Sequence, residues 1–502
     1  MQKELPIGWT KTKLGDICTK PQYGWTTQSD ISGDFKYLRT TDISKGKIDW
    51  DRMPYCIDVP EDKEKYLLGK DDIVVSRAGS VGLSYRITDT PQPTLFASYL
   101  IRFKPIKVFP KIVEYYLKSD MYWKAISEMS AGIAVQNVNA VKLSDLDFPL
   151  PPLSTQQRMV AKLDTLFEHL DALKNRFDRI PQLLKDFRQK VLTQAVTGKL
   201  TEEWREGKEL EDIKILFSKI DFRRNQHKKS KISNLKLDLR SDLDLFELPS
   251  KWAWADLNFL MDEENSFCYG VVQPGKDVKN EQKLIRVQDL SNGKILNDQL
   301  RGISWKIDKE YTRSKVNEGD LLVTVVGTIG RTAIVAKESV GLNIARAVAK
   351  IPIRDCNGHY IRIFFDSEIG QQWLVGDARE VARKTLNLDQ LKTLPIAVPP
   401  VEEQKEIVRR VESLFAKADQ IEASYQKLTA KIEQLPQALL AKAFRGELVE
   451  QLPTDGDARQ LLEEIRKAKT GLEKGGKIKK MKGDEETRMV AEGGSRYGLR
   501  RI

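Results

Sequence analysis

Apolar residues fall at alternating steps of four and three along two long stretches of the chain. The first runs through Met159, Leu163, Leu166, Leu170, Leu173, Phe177, Ile180, Leu184, Phe187 and Val191. The second runs through Ile407, Val411, Leu414, Ala418, Ile421, Tyr425, Leu428, Ile432, Leu435 and Leu439. A repeat averaging 3.5 residues is the seam of a left-handed coiled coil. Charged residues such as Lys162, Lys174, Arg409, Lys417 and Lys427 stand off the seam. The pattern predicts two helices of roughly 40 residues, about 60 Å each.

The helix ends carry their own signals. Ser154 with Gln157 reads as a capping box, and Glu402-Glu403 suit the positive start of the second helix. Gly198 and Gly446 read as stops. Pro181 and Pro436 are expected to kink or interrupt their helices. They do not occupy matching positions, so the two rods need not bend alike.

The two stretches are copies. Pro151-Pro152 matches Pro399-Pro400, Gln156 matches Gln404, Leu166-Phe167 matches Leu414-Phe415, and Gly198 matches Gly446, all at one step of 248. A fixed long period marks one architectural unit used twice. Two core helices of a single large α/β domain are the plainer alternative, but such helices seldom keep a strict heptad for this length. The expected molecule therefore has two globular heads and two antiparallel coiled-coil helices related by a pseudo-twofold axis. Such a scaffold offers two similar surfaces, enough for two copies of one partner.

The segments before each helix also match. Leu5-Pro6 and Trp9 echo Leu248-Pro249 and Trp252; Tyr23-Gly24 echoes Tyr269-Gly270; Asn139 echoes Asn387. YLRTTDISKGKI (37–48) echoes LIRVQDLSNGKI (284–295), and GKDDIVVSRAGSVG (69–82) echoes EGDLLVTVVGTIG (318–330). The β-branched runs Ile73–Val75, Leu321–Val326 and Ala333–Val335 read as strands between Gly/Asp turns, and Ile112–Tyr122 and Tyr360–Trp373 as short helices. Each head is thus an α+β domain with a curved β-sheet. The expected boundaries are 1–150 for the first head, 151–200 for its helix, 201–246 for a linker, 247–398 for the second head, 399–448 for its helix, and 449–502 for a C-terminal helix and basic tail.

The candidate chemistry is that of binding. The glycine turns 79–82 and 327–330 either aim backbone N–H groups at phosphate or simply permit positive φ. Ser80 and Thr328 sit in those turns, with Arg77 and Arg331 beside them, and Val326 stands where the first head has Arg77. Tyr23, Trp25 and Tyr269 are able to stack on nucleic acid or to pack in a core. Asn139 and Asn387 complete the DNA-contact candidates. Arg39 and Arg286 each precede an aspartate by three residues, which favours a local ion pair over a ligand contact.

The bulk properties agree with this picture. The net charge of +11 permits nucleic-acid binding. Four scattered cysteines and three histidines fit neither a disulfide framework nor a zinc site. No apolar run reaches the length of a membrane span and the first residues hold no signal core, so a soluble cytoplasmic protein is expected. The linker starts charged, becomes basic at 223–231, and reads as solvated; the tail carries a helix at DARQLLEEIRKAK and turns Gly/Lys/Glu-rich and disordered from Gly471. GTIGRT lacks the P-loop lysine, the Pro-Pro pairs lack the flanks of an amino-methyltransferase motif, and no catalytic constellation stands out. A recognition or scaffold protein is expected, with a coiled-coil scaffold bearing two protein-binding heads as the alternative class.

The tandem segments PLPPLSTQQRMVAKLD and AVPPVEEQKEIVRRVE, followed by IPQLLKDFRQKVLTQAVTGKLTEEWRE and LPQALLAKAFRGELV, resemble the specificity subunits of type I restriction-modification systems, in their enteric-type branch. The resemblance spans nearly the whole chain apart from the linker and tail. It implies that each head is a target-recognition domain for half of a bipartite, asymmetric DNA site. It implies that the helices set the gap and dock two adenine-N6 methyltransferase subunits, which motor-nuclease subunits join. S-adenosylmethionine, ATP and Mg would belong to those partners, and this chain would make no bond itself. A complex that only methylates, or a phage-defence complex without the motor, is the nearer alternative. Residues that read bases vary between recognition domains and do not carry over.

Overall fold

The computed structural model describes residues 5–130, 138–227, 246–262, 264–278, 281–376, 385–472 and 474. It divides into two units, Met1–Phe177 with Lys427–Ile502, and Asp178–Gln426. Each unit is an α+β head with helical segments from both copies of the repeat.

The heads share one topology. In the first, Gln22–Tyr23, Leu100–Phe103, Ile73–Ser76 and Ser84–Arg86 form an antiparallel sheet in that order. In the second, Cys268–Tyr269, Val348–Ile351, Leu321–Thr324 and Thr332–Ile334 repeat it. The register is conserved to the residue: Val75 lies opposite Ile101, and Val323 opposite Ala349. The expected short helices are each a pair, Pro110–Leu117 with Asp120–Ser130, and Gly358–Asp366 with Glu368–Gly376. Arg39 and Arg286 make the expected two-pronged ion pairs with Asp42 and Asp289. Thr10–Lys13 pairs with Asp147–Leu150, and Ala253–Asp256 with Pro395–Val398. These two-stranded ribbons bring the start of each head to the root of its helix.

The first rod is broken and the second is not. Leu153–Phe177 ends before Ile180–Val196, where Pro181 takes a first-turn place that needs no N–H donor. Val401–Phe444 runs 44 residues through Pro436 without the interruption that was one of the two expected outcomes. Next to that proline, Gln437 donates to Lys118 O at 2.9 Å and accepts from Asp120 N at 2.9 Å, so tertiary contacts hold the helix where one ladder bond is missing. Both rods stop as expected at glycines with positive φ, Gly198 at 78° and Gly446 at 72°. A Cβ at Gly446 would meet Pro6 at 2.1 Å, and one at Gly198 would meet Pro249 at 2.6 Å.

The rods pair antiparallel within each unit. In the second unit Arg188 bridges Asp419 and Glu422 at 2.7 and 2.8 Å, while Leu200 O accepts from Arg410 at 2.8 Å. In the first, Met159 and Leu163 share a core cluster with Leu440, Ala443 and Phe444. The seam is buried at Met159, Leu163, Leu170, Leu184, Ile407, Val411, Ala418 and Ile432, but Phe187, Ile421, Leu428 and Leu435 are exposed. A heptad position is covered only where a helix or head lies over it.

A buried glutamine joins each head to its rod. Gln156 donates to Pro151 O at 2.9 Å and accepts from Phe109 N at 3.1 Å. Gln404 donates to Pro399 O at 2.8 Å and accepts from Asn357 N at 2.8 Å. Phe109 and Asn357 are the N-caps of matching head helices. One amide thus satisfies a Pro-Pro carbonyl and an orphan helix-start donor at once.

A carboxylate locks each root from a different place. In the second unit Glu403 is fully buried and takes Thr201, Arg205 and the Trp252 indole at 2.6, 3.0 and 2.9 Å. In the first, Asp455 takes Ser154, Thr155 and both arms of Arg158. Ser154 Oγ therefore serves Asp455 and does not form the expected capping box, because it already lies inside the helix. Arg158, followed by burial opposing it, holds the Asp455 carboxyl well below the usual aspartate range.

The described parts of the linker and tail each contribute a helix to a core, which corrects the solvated reading of the linker up to residue 227. Helix Ile213–His227 buries Ile213, Phe217 and Ile220 in the second unit. Residues 458–472 are helical and bury Ala458, Leu461, Leu462 and Ile465 in the first. Of the basic stretch 223–231, Arg223 clasps Asp355 and Arg224 donates to Asn258 O and Met261 O. The segment expected to be disordered from Gly471 lies almost wholly outside the described residues.

Gln156→Ala removes both bonds of its joint and leaves two buried backbone groups unsatisfied. Urea unfolding is expected to show a loss of about 2–4 kcal/mol; a loss under about 0.5 kcal/mol would remove the joint from the account. For Asp455 the depressed pKa means stability that is present above its unfolded pKa, about 3.9, and lost as pH falls through the lower folded value. The stability gap between wild type and Asp455→Asn is expected to be flat above about pH 5 and to shrink below about pH 4. A gap that stays constant to pH 2 would contradict it.

Candidate nucleic-acid interface

The sequence candidates gather around one turn in each head. In the first, Ile73–Ser76 and Ser84–Arg86 are joined by the turn 77–82, in which Gly79 and Gly82 have φ of 77° and 86°. In the second, Gly327 and Gly330 have φ of 80° and 85°. A Cβ at Gly82 would press on Ile126 and Trp123 at 3.1 and 3.2 Å and one at Gly330 would meet the Gln371 side chain at 2.5 Å, whereas a Cβ at Gly79 or Gly327 meets nothing. Ser80 and Thr328 are exposed at the turn tips, and Arg331 is exposed just beyond.

Tyr23 lies beside that turn. Its hydroxyl accepts from Ala140 N at 2.9 Å, and the Arg77 guanidinium sits 4.8 Å from its ring centre. Tyr269 holds the same strand position and donates to Leu386 O at 3.2 Å. Trp25 is half-buried, bound through its indole to Asp58 O at 3.1 Å and set edge-on to Tyr66. Asn139 and Asn387 cap the short helices Ala140–Ser144 and Leu388–Lys392, accepting from Lys142 N and Gln390 N at 2.8 Å. Their carbonyl oxygens are therefore committed to capping.

The backbone corrects one alignment. Arg77 N donates to Tyr99 O and Arg77 O accepts from Val138 N; Val325 N donates to Ala347 O and Val325 O accepts from Leu386 N. The counterpart of Arg77 is thus Val325 and not Val326. Val325 is fully buried, so the second head extends its core to a position where the first presents a cation. The adjacent valines hid this one-residue shift in the sequence.

Gln156 and Gln404 recur in the sequence without a sign of their role, and nothing in the sequence singles out Asp455. The signal for the glutamines was a polar residue kept at one heptad-flanking position next to Pro-Pro. Two clefts also match between the heads, each walled by the appended helix. One of about 570 Å³ is lined by Arg223, Arg224, Asp262, Phe267, Arg354 and Lys392 among others, and one of about 400 Å³ by Lys13, Lys20, Val141 and Lys469 among others. Their cations are largely tied up in the protein: Arg354 with Asp262 and Glu264, Lys13 with Asp145 and Asp147, Lys469 with Gly15 O. The thiols of Cys18, Cys56 and Cys356 are pushed by burial to about 12 and are inert at neutral pH. Among the described residues no helix is long and apolar enough to cross a membrane.

Comparison with known proteins agrees with the duplicated fold. The family of type I restriction modification DNA specificity domains matches residues 6–182 and 276–434. The EcoBI specificity subunit of Escherichia coli is 41% identical over 355 residues, 69% of each chain. The EcoKI specificity subunit of Escherichia coli strain K12 is 29% identical over 492 residues, 92% of this chain and 96% of that one. The HsdS subunit of Thermoanaerobacter tengcongensis has the same fold, with a TM-score of 0.56 and 17% identity over 89% of this chain and 99% of its own. The two matched segments together cover more than half of the chain, and it belongs to the family of type I restriction-modification specificity subunits, the non-catalytic DNA-recognition members of their systems.

Proposed function

We propose that this chain directs a type I restriction-modification complex in the cytoplasm to a bipartite, asymmetric DNA site. The heads, residues 1–150 and 247–398, each read one half. The rods fix the gap and dock two adenine-N6 methyltransferase subunits, through which motor-nuclease subunits join. S-adenosylmethionine, ATP and Mg act on those partners. The DNA-facing residues are those of the turn rims: Tyr23, Trp25, Arg77, Ser80 and Asn139 in the first head, and Tyr269, Thr328, Arg331 and Asn387 in the second.

The observation that carries this reading is the contrast between two heads with one strand register and their different rims. Scaffolds that share the central sheet register but differ in surface chemistry suit two unlike half-sites. Phosphate contacts would position each head, and side chains at the rim would read base edges. The methyltransferase partners would then extrude an adenine in each half. The exposed seam residues Phe187, Ile421, Leu428 and Leu435 support docking on the rods, since apolar side chains left bare on a helix suit a partner surface.

Co-expression with the neighbouring methyltransferase, followed by genome-wide mapping of N6-methyladenine, is expected to give one bipartite motif. Replacing residues 1–150 by another head should change one half of that motif and leave the other; a swap that alters both halves would refute modular reading. Inserting one helical turn into both rods should lengthen the gap while both halves stay the same. Unchanged spacing in that variant would rule out the rods as the ruler.

A further inference from the structure

One exposed aromatic in the first head is not explained by the fold. Tyr99 is 62% exposed. It occupies a tight turn closed by Leu100 N donating to Ala97 O at 2.8 Å, and its own carbonyl accepts from Arg77 N at 2.9 Å. The second head builds the same turn, with Val348 N donating to Ala345 O at 2.9 Å and Ala347 O accepting from Val325 N at 2.9 Å. Alanine suffices there, so the ring at position 99 is not needed to make the turn.

Its neighbours give the ring a context. Tyr99 is bonded through its backbone to Arg77, whose guanidinium lies over the Tyr23 ring. Tyr23 itself is 37% exposed. Two part-exposed tyrosines therefore flank one arginine at the rim beside the turn 77–82. At the matching positions the second head has Tyr269, Val325 and Ala347, with Val325 in the core. The cation and the second ring are both missing.

An exposed ring one backbone bond away from an arginine suits a nucleobase, which offers a flat π-face to the ring and hydrogen-bond acceptors to the guanidinium. We infer that Tyr99 is a DNA-contact residue of the first head alone, its ring packing on a nucleobase of the first half-site with Arg77 as its cationic neighbour. This rests on the reading of the chain as a bipartite DNA reader, and it explains in part why the two halves would differ.

The test uses the full chain in complex with its methyltransferase and a duplex carrying the motif mapped for wild type. Tyr99→Ala is expected to bind that duplex about tenfold more weakly. Tyr99→Phe keeps the ring and should bind within about twofold of wild type. Ile7→Ala, at an even more exposed apolar position, should bind as wild type. On a duplex with the first half scrambled, wild type and Tyr99→Ala should be equal. Thermal unfolding of both Tyr99 variants should match wild type, as the alanine in the second head's turn implies. Equal binding of Tyr99→Ala and wild type to the intact duplex would overturn the inference. So would an equal loss on the scrambled duplex, or a loss in Tyr99→Phe as large as in Tyr99→Ala. Absence of any bipartite motif from the wild-type complex would instead overturn the reading beneath it.

Discussion

The buried glutamine at the root of each rod is the constraint on which the architecture depends. Two long helices can set a distance only if the heads are fixed to them. A hydrophobic contact alone permits sliding. Gln156 and Gln404 remove that freedom, because each amide must satisfy a prolyl carbonyl and a helix-start N–H together. Unpaired buried amides are costly, so the geometry that satisfies both bonds is strongly preferred. The two-stranded ribbons then return each chain to the same root, and positive-φ glycines end the rods against Pro6 and Pro249.

Around these joints the chemistry drifts while the positions hold. Lys111 pairs with Asp164 at 2.6 Å, and at the matching place His359 faces Glu412 at 3.9 Å. Burial lowers the His359 pKa, so its imidazole is largely neutral at neutral pH and the second contact is not a salt bridge like the first. The root carboxylate has moved further still. Glu403 comes from the rod and is reached by the following loop, whereas Asp455 comes from that loop and is reached by the rod. Both solutions bury one acid against a basic and a hydroxyl partner. What the two copies keep is the requirement for a lock.

Much of this was legible in the sequence because it rests on periodicity and identity. The heptads, the step of 248, the glycine stops and the Arg–Asp pairs were all visible there. The tail helix was legible too, but the burial of the appended helices was not. Ile213, Phe217 and Ile220 stand at that same step from Leu461, Ile465 and Ala468, but only their burial is shared. A charged helix with one narrow apolar stripe reads as solvated until the core it covers is known. The continuity of the helix through Pro436 was hidden for a related reason, since the contacts of Gln437 beside it come from residues more than three hundred positions away. Among the rim candidates, the asparagines turned out to be placed by their caps, and the turn glycines by φ and packing.

The rim shows how surface chemistry can change without loss of the fold. The bonds that shape it are backbone bonds, and they are the same in both heads at 2.9 Å from residue 77 to 99 and from 325 to 347. A side chain at such a position is constrained only by what lies beneath it. In the first head nothing there demands an apolar group, so Arg77 and Tyr99 are tolerated at the surface. In the second the core reaches one residue further and claims Val325. An arginine at 325 would bury a charge without a partner, which the surrounding cluster could not satisfy. The second head must therefore carry its cations elsewhere on the rim, as at the exposed Arg331 and Arg346. The extent of the core thus decides which rim positions each head leaves free to vary.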